Sequence, residues 1–144
     1  MQMRVLSAPK VQRYAPTGDE VLISIRSPGD PAPRLKDGWR AVLSVVFADT
    51  GPYAAPHAGQ AGLTREIAYD ILDFVEAHRA CRRMTIQCHA GVSRSRSLDA
   101  VLADLFALPY KWTAVNPDVV RVVREAAGSR PIGYGGPEAR GENL

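Results

Sequence analysis

The stretch Met84-Thr-Ile-Gln-Cys88-His-Ala-Gly-Val-Ser-Arg94-Ser-Arg-Ser97 decides how this chain is read. A short apolar run ends in a cysteine. Small and polar residues follow, then an arginine and a serine, and a second apolar segment runs from Leu98 to Leu108. A buried strand through Thr85 and Ile86 would deliver Cys88 to its carboxyl end, where a tight loop turns into the N-terminus of a helix. Such a turn makes an oxyanion site, because consecutive backbone N–H groups point inward and the positive end of the helix dipole adds to them. Arg94 supplies a planar fork that can hold two oxygens of a phosphate. A cysteine in that field is favoured as a thiolate nucleophile. The plainer reading is a buried free cysteine with arginines on a solvated first turn. It gives no reason for Gly91 and Ser93, which let the backbone close around an anion.

Working outward, the residues before this stretch form an amphipathic pattern from Thr64 to Ala80. Ile67, Ala68, Ile71, Leu72, Phe74 and Val75 fall on one stripe, with Thr64 as N-cap and Glu66 in the first turn. Upstream, Ala41-Val-Leu-Ser-Val-Val-Phe47 is a nearly unbroken apolar, β-branched run, as in a central strand covered on both faces. Residues 20–25 and 3–6 read as two further strands, and Lys10 to Tyr14 has room for a helical turn. Ser27-Pro-Gly-Asp-Pro-Ala-Pro33 is an ordered surface loop, because its prolines remove backbone donors. Downstream, Ser95 to Leu108 predicts a helix with Leu98, Val101, Leu102, Leu105 and Phe106 facing inward, stopped by Pro109. Asn116-Pro117-Asp118 starts a last helix through Ala127, ended by Gly128. Residues 129–144, with four glycines and two prolines, read as a loosely packed tail.

Strands alternating with helices at this density predict one α/β domain over residues 1–128. Its mostly parallel sheet would have four or five strands flanked by helices. Ligands of such sheets sit beyond the carboxyl ends of the strands. Asp49 and Cys88 both fall at such ends, so they are candidates to face one pocket across 39 positions of sequence.

The chain has 144 residues, 46% of them apolar, which suits an ordinary globular domain with a real core. Two cysteines are too few for a disulfide framework and lack metal-ligand spacing, so a reducing compartment is expected. The first ten residues lack a signal-like apolar core and no segment is long enough to span a membrane, which predicts a cytoplasmic location. The net charge of +3 is carried almost wholly by arginine, since lysine occurs only at 10, 36 and 111. This mild basicity could steer anionic substrates but is better explained by genomic base composition, and it offers no sign of nucleic-acid readout.

The run from Cys88 onward resembles the signature loop of the cysteine-dependent protein tyrosine phosphatase superfamily, and specifically its dual-specificity branch. That pattern is His-Cys-x5-Arg-Ser/Thr, often with Ala-Gly-x-Ser-Arg-Ser inside it. Ala90-Gly91-Val92-Ser93-Arg94-Ser95 agrees with it at every defined position. The order strand, Asp-bearing loop, helix, strand, Cys-bearing loop is also similar, over roughly residues 20–127. The resemblance implies a phosphomonoester hydrolase working through a cysteinyl-phosphate, on phosphotyrosine and also phosphoserine or phosphothreonine in a protein or peptide. Cys88 would be the nucleophile. The backbone of His89, Ala90, Gly91, Val92, Ser93 and Arg94, with the Arg94 side chain, would bind phosphate, sulfate or vanadate. Ser95 would hydrogen-bond the sulfur, and Asp49 would be the general acid, with no metal or cofactor.

Rivals for the acid are Asp30, Asp37 and His57, the last in a Gly/Pro/Ala-rich stretch from Thr50 to Gly62 that could carry a lid. Cys81 is expected as a packed or solvent-facing thiol, with a reversible Cys81–Cys88 pair as its sharper alternative. One position departs from the pattern. Where the family has histidine before the cysteine, this chain has Gln87, which can donate a hydrogen bond but carries no charge. That departure keeps a non-catalytic phosphate-binding module open as the alternative. Phosphoinositide-directed relatives tend to carry lysines inside the loop, and RNA 5′-phosphatase relatives usually read Asn-Arg-Thr at Ser93-Arg94-Ser95. A rhodanese-like sulfur transferase also places a cysteine in an amide-lined loop, but without the Ala-Gly-x-Ser-Arg-Ser run.

Overall fold

Side-chain alternation along two neighbouring strands sorts this molecule into two unlike halves. The computed structural model describes residues 1–50, 61–109 and 112–130. Strand β2 (Glu20–Arg26) turns Val21, Ile23 and Ile25 toward one face of the sheet, and strand β4 (Arg83–Cys88) turns Met84, Ile86 and Cys88 the same way. The alternate residues, Glu20, Ser24, Thr85 and Gln87, are equally buried but face the other side, as a pleat of period two requires. The order is completed by β1 (Gln2–Ser7), α1 (Ala8–Arg13), β3 (Ala41–Val46), α2 (Arg65–Ala77), α3 (Arg94–Leu105) and α4 (Pro117–Ser129).

The sheet has four strands in the order β1-β4-β2-β3, all parallel. Its pairing is in register from Gln2 opposite Arg83 to Ser7 opposite Cys88, and from Glu20 opposite Arg83 to Ser24 opposite Gln87. The apolar face packs against α2, α3 and α4 through Ile71, Leu72, Val75, Leu98, Leu102 and Val123. Helix α1 packs on β1 and β4, with Val11 its buried residue. Successive crossovers therefore leave β4 in the middle of the sheet, where its carboxyl end is flanked by the ends of β1 and β2. That is where such sheets bind ligands.

Local signals account for most boundaries. Thr64 caps α2 by accepting from the Ile67 N–H, and Asn116 caps α4 by accepting from the N–H groups of Asp118 and Val119. Three features differ from the sequence reading. The turn near Lys10 is a full short helix, capped by Ser7 and entered through Pro9. Helix α3 stops at Leu105, with Ala107 in the left-handed region at φ 55°, so Leu105 lies on the surface. Ala103 and Asp99, not expected to face inward, are buried. Gly128 does not end α4, which continues to Ser129, where the hydroxyl bonds back to the Glu125 carbonyl. The stretch carrying His57, and residues 131–144 of the tail, lie outside the described residues. No helix among the described residues is long and apolar enough to cross a membrane.

Candidate active site

Cys88 is the last residue of β4, and its side chain faces the apolar core, where it is buried. Its Sγ lies 3.0 Å from the Ser95 Oγ in the first turn of α3. Between them the chain turns through Gly91, held at φ +71°. A Cβ there would stand 3.0 Å from the Ser7 backbone nitrogen and 3.1 Å from the Leu6 carbonyl carbon. Both the left-handed backbone and the close approach to β1 require glycine. The loop is pinned from outside as well, since the His89 carbonyl accepts from the Ala8 N–H at the start of α1.

With its carbonyl side anchored in this way, the loop keeps its donors unengaged. Among the described residues, no N–H from His89 through Ser93 donates to another backbone group. Ser93 stands at the N-cap of α3 but makes no side-chain cap, because its hydroxyl is turned elsewhere. An uncapped helix start behind a row of idle N–H groups is an arrangement able to receive an anion.

Arg94 is buried at the first position of α3. Its Nη1 donates to the Phe47 carbonyl at 2.8 Å and to the Ser27 Oγ at 2.9 Å, which fixes the guanidinium against the ends of β2 and β3. Its Nε is buried with no hydrogen-bond partner among the described residues. A buried, unsatisfied guanidinium N–H costs a few kcal/mol, so the position fits a donor that awaits a ligand. One edge of the fork is held by protein and the other is left for two oxygens.

Asp49 lies just beyond β3, partly buried. Its Oδ1 accepts from the Ser93 Oγ at 3.0 Å and from the Asn116 Nδ2 at 2.9 Å. Sequence reading found Asp49 from its strand end but missed Asn116, which looked like a helix cap alone. Asn116 does both: Oδ1 caps α4 and Nδ2 reaches Asp49. Its backbone N–H, with that of Val115, is held by the Ser97 Oγ on α3. Cys88, Ser95, Arg94, Ser93 and Asp49 are thus brought to one place. Asp37 is exposed on the 27–40 connection, and Asp30 is exposed beside a different cavity.

Gln87 does not stand where a partner for the thiol would stand. It projects from the opposite face of β4, where Ser24 Oγ donates to its Oε1 at 2.6 Å. Consecutive strand residues must point apart, and this alone separates Gln87 from Cys88. Cys81 is packed and buried before β4 begins. The five steps from Arg83 to Cys88 span about 17 Å at roughly 3.3 Å each, so a Cys81–Cys88 disulfide is out of reach. No group of acidic, histidine or cysteine side chains that could hold a metal occurs among the described residues. No known family model matches the chain. No curated protein matches it significantly either.

Proposed function

We propose that this chain is a dual-specificity phosphatase-like phosphomonoester hydrolase that works through a cysteinyl-phosphate and acts on phosphotyrosine in proteins or peptides. The observation that carries the reading is the row of unengaged N–H groups between a buried cysteine and a buried arginine whose Nε has no partner. Three equatorial phosphoryl oxygens accept from those N–H groups and from Arg94, whose fixed donors stabilise charge as it develops in the transition state.

The Cys88 thiolate attacks phosphorus in line, forming the S–P bond as the P–O bond to the leaving group breaks. Asp49 gives its proton to the departing oxygen. Ser93 and Asn116 both donate to its Oδ1, which fixes the carboxyl in place. Water then attacks phosphorus, Asp49 takes a proton from it, and the S–P bond breaks. The Ser95 hydroxyl, 3.0 Å from the sulfur, donates to the thiolate as it leaves. None of these steps calls for a metal, because arginine and backbone N–H groups supply the positive charge.

Vanadate-sensitive hydrolysis of para-nitrophenyl phosphate in the presence of a chelator, lost in Cys88→Ser, tests this reading. Folded wild-type protein that binds phosphopeptide but gives no turnover across pH 5–8 would favour the phosphate-binding module instead.

A further inference from the structure

A second concavity lies on the other face of β4, directly beside the loop. It encloses about 330 Å³ between α1 and the 27–33 loop. Ala8, Pro9 and Pro33 give it apolar walls, and its polar residues are Gln12, Arg26, Asp30, Gln87 and His89. It abuts the anion loop at two points. His89 belongs to both, and Arg26 is followed at once by Ser27, whose hydroxyl holds Arg94.

Two side-chain donors of this cavity are withdrawn from solvent at least in part and yet left over by the fold. Gln87 is 2% exposed, and its amide oxygen is engaged by Ser24, while its amide nitrogen donates to no atom among the described residues. Arg26 is half-buried at the end of β2, and its guanidinium makes no hydrogen bond and no ion pair among the described residues, even with Asp30 in the same cavity. Both project from the same face, since Arg26 follows Ser24 and Gln87 pairs with Ser24 in register. A half-buried guanidinium beside a buried amide N–H₂ in an otherwise prolyl and aliphatic pocket suits a carboxylate. Burial strengthens such charge-assisted bonds, and the apolar walls accommodate the methylenes behind the acid.

We infer that this cavity is a substrate subsite that takes the carboxylate side chain of a residue flanking the phosphorylated one, with Arg26 and Gln87 as its donors. The inference rests on the proposed hydrolysis for its substrate and adds the substrate's local sequence. The shared residue His89 places the subsite within one or two residues of the phosphotyrosine, since an extended chain advances about 3.3–3.6 Å per residue. Asp30 at the rim disfavours a second acid there and leaves the carboxylate to the Arg26 end.

The test compares phosphotyrosine peptides of otherwise alanine sequence with glutamate, alanine or lysine beside the phosphotyrosine. Glutamate is expected to raise kcat/KM by about tenfold over alanine, and lysine to lower it. In Arg26→Gln the glutamate-to-alanine ratio collapses toward one; a ratio taken on one protein cancels any general loss of activity or folding. The same peptides bound to Cys88→Ser, read by fluorescence anisotropy, should keep the same order in Kd. Equal kcat/KM for the three peptides, or a glutamate preference that survives Arg26→Gln, overturns the subsite. A wild type without turnover whose Cys88→Ser form still prefers the glutamate peptide sinks the hydrolase reading and leaves the subsite standing.

Discussion

Two buried polar clusters lie at opposite ends of the same sheet, and they use charge in opposite ways. At the amino end of β2, Glu20 is fully buried and its carboxylate is surrounded. Tyr14 donates at 2.6 Å, the Thr17 N–H at 2.9 Å and its hydroxyl at 3.1 Å, while Arg83 and Arg4 stand at 3.3 and 3.5 Å. Arg4 in turn donates to Thr85 and lies over the Tyr14 ring at 4.0 Å. At the carboxyl ends, by contrast, Arg94 is buried with an idle Nε, and the adjoining loop N–H groups bond to no backbone partner among the described residues. A cluster whose donors and acceptors are matched holds the fold. A cluster with donors in excess, buried at some cost, is what the proposed phosphate site requires.

That difference can be broken from either end. The largest effect is expected at the open cluster. Cys88→Ser should lower para-nitrophenyl phosphate turnover by at least about 10⁴-fold, and Arg94→Lys by about 10²–10³-fold, because lysine cannot offer the bidentate edge. Both should leave the melting temperature nearly unchanged, measured on the same samples. Asp49→Asn should cost about 10²-fold in kcat on a phenolic ester with a poor leaving group, and less on para-nitrophenyl phosphate, whose leaving group needs less protonation. Gly91→Ala should weaken both stability and turnover, by about 1–3 kcal/mol of backbone strain, since it combines positive φ with a clash against β1.

Asn116→Ser sharpens the picture further. Serine retains the α4 cap but is too short to reach Asp49, so kcat should fall by about tenfold on the poor leaving group with KM little changed. A loss that is equal for good and poor leaving groups would deny Asn116 a part in placing the acid.

The closed cluster should behave in the reverse sense. Glu20→Gln removes a charge from between two arginines and should lower stability by about 2–3 kcal/mol. That corresponds to a drop of about 5–10 °C in melting temperature, with turnover at 25 °C retained. Burial alone would raise the Glu20 carboxyl, but the bonds from Tyr14 and Thr17 and the nearby Arg4 outweigh it and hold its pKa below the ordinary 4.5. A lowered folded value means that the stabilisation is present above the unfolded-state value and is lost as pH falls through the folded one. The gap between wild type and Glu20→Gln in thermal melts should therefore narrow as pH drops below about 4.5. A gap independent of pH would contradict this account of the cluster.

How much was legible in the sequence follows the range of the interaction. Cys88, the loop, Arg94 and Ser95 sit within one strand-turn-helix segment, so spacing alone sufficed to place them together. Asp49 was legible because strand ends in a parallel sheet converge. Asn116 was half legible: its cap is local, but its reach to Asp49 depends on how α4 packs against α2 and α3. The consequence of Gln87 was legible only in part: its lack of charge could be read directly, while its place on the face opposite Cys88 follows from period-two alternation. The Glu20 cluster went unread because it gathers β1, α1, β2 and β4 through pairing that only the register reveals. Leu105 and Gly128 misled for a shared reason: helix ends answer to packing more than to propensity, and α3 closes early through a left-handed Ala107.

The central claim is that the buried thiol, cradled by idle donors, becomes covalently phosphorylated. Rapid acid quench of wild-type protein during turnover of a phosphotyrosine peptide, followed by peptide mass mapping, reads this directly. The account predicts one added HPO₃ on the peptide containing Cys88, accumulating further in Asp49→Asn if breakdown needs the base, and absent in Cys88→Ser. Turnover that proceeds with no adduct on Cys88, or that persists in Cys88→Ser, would contradict it.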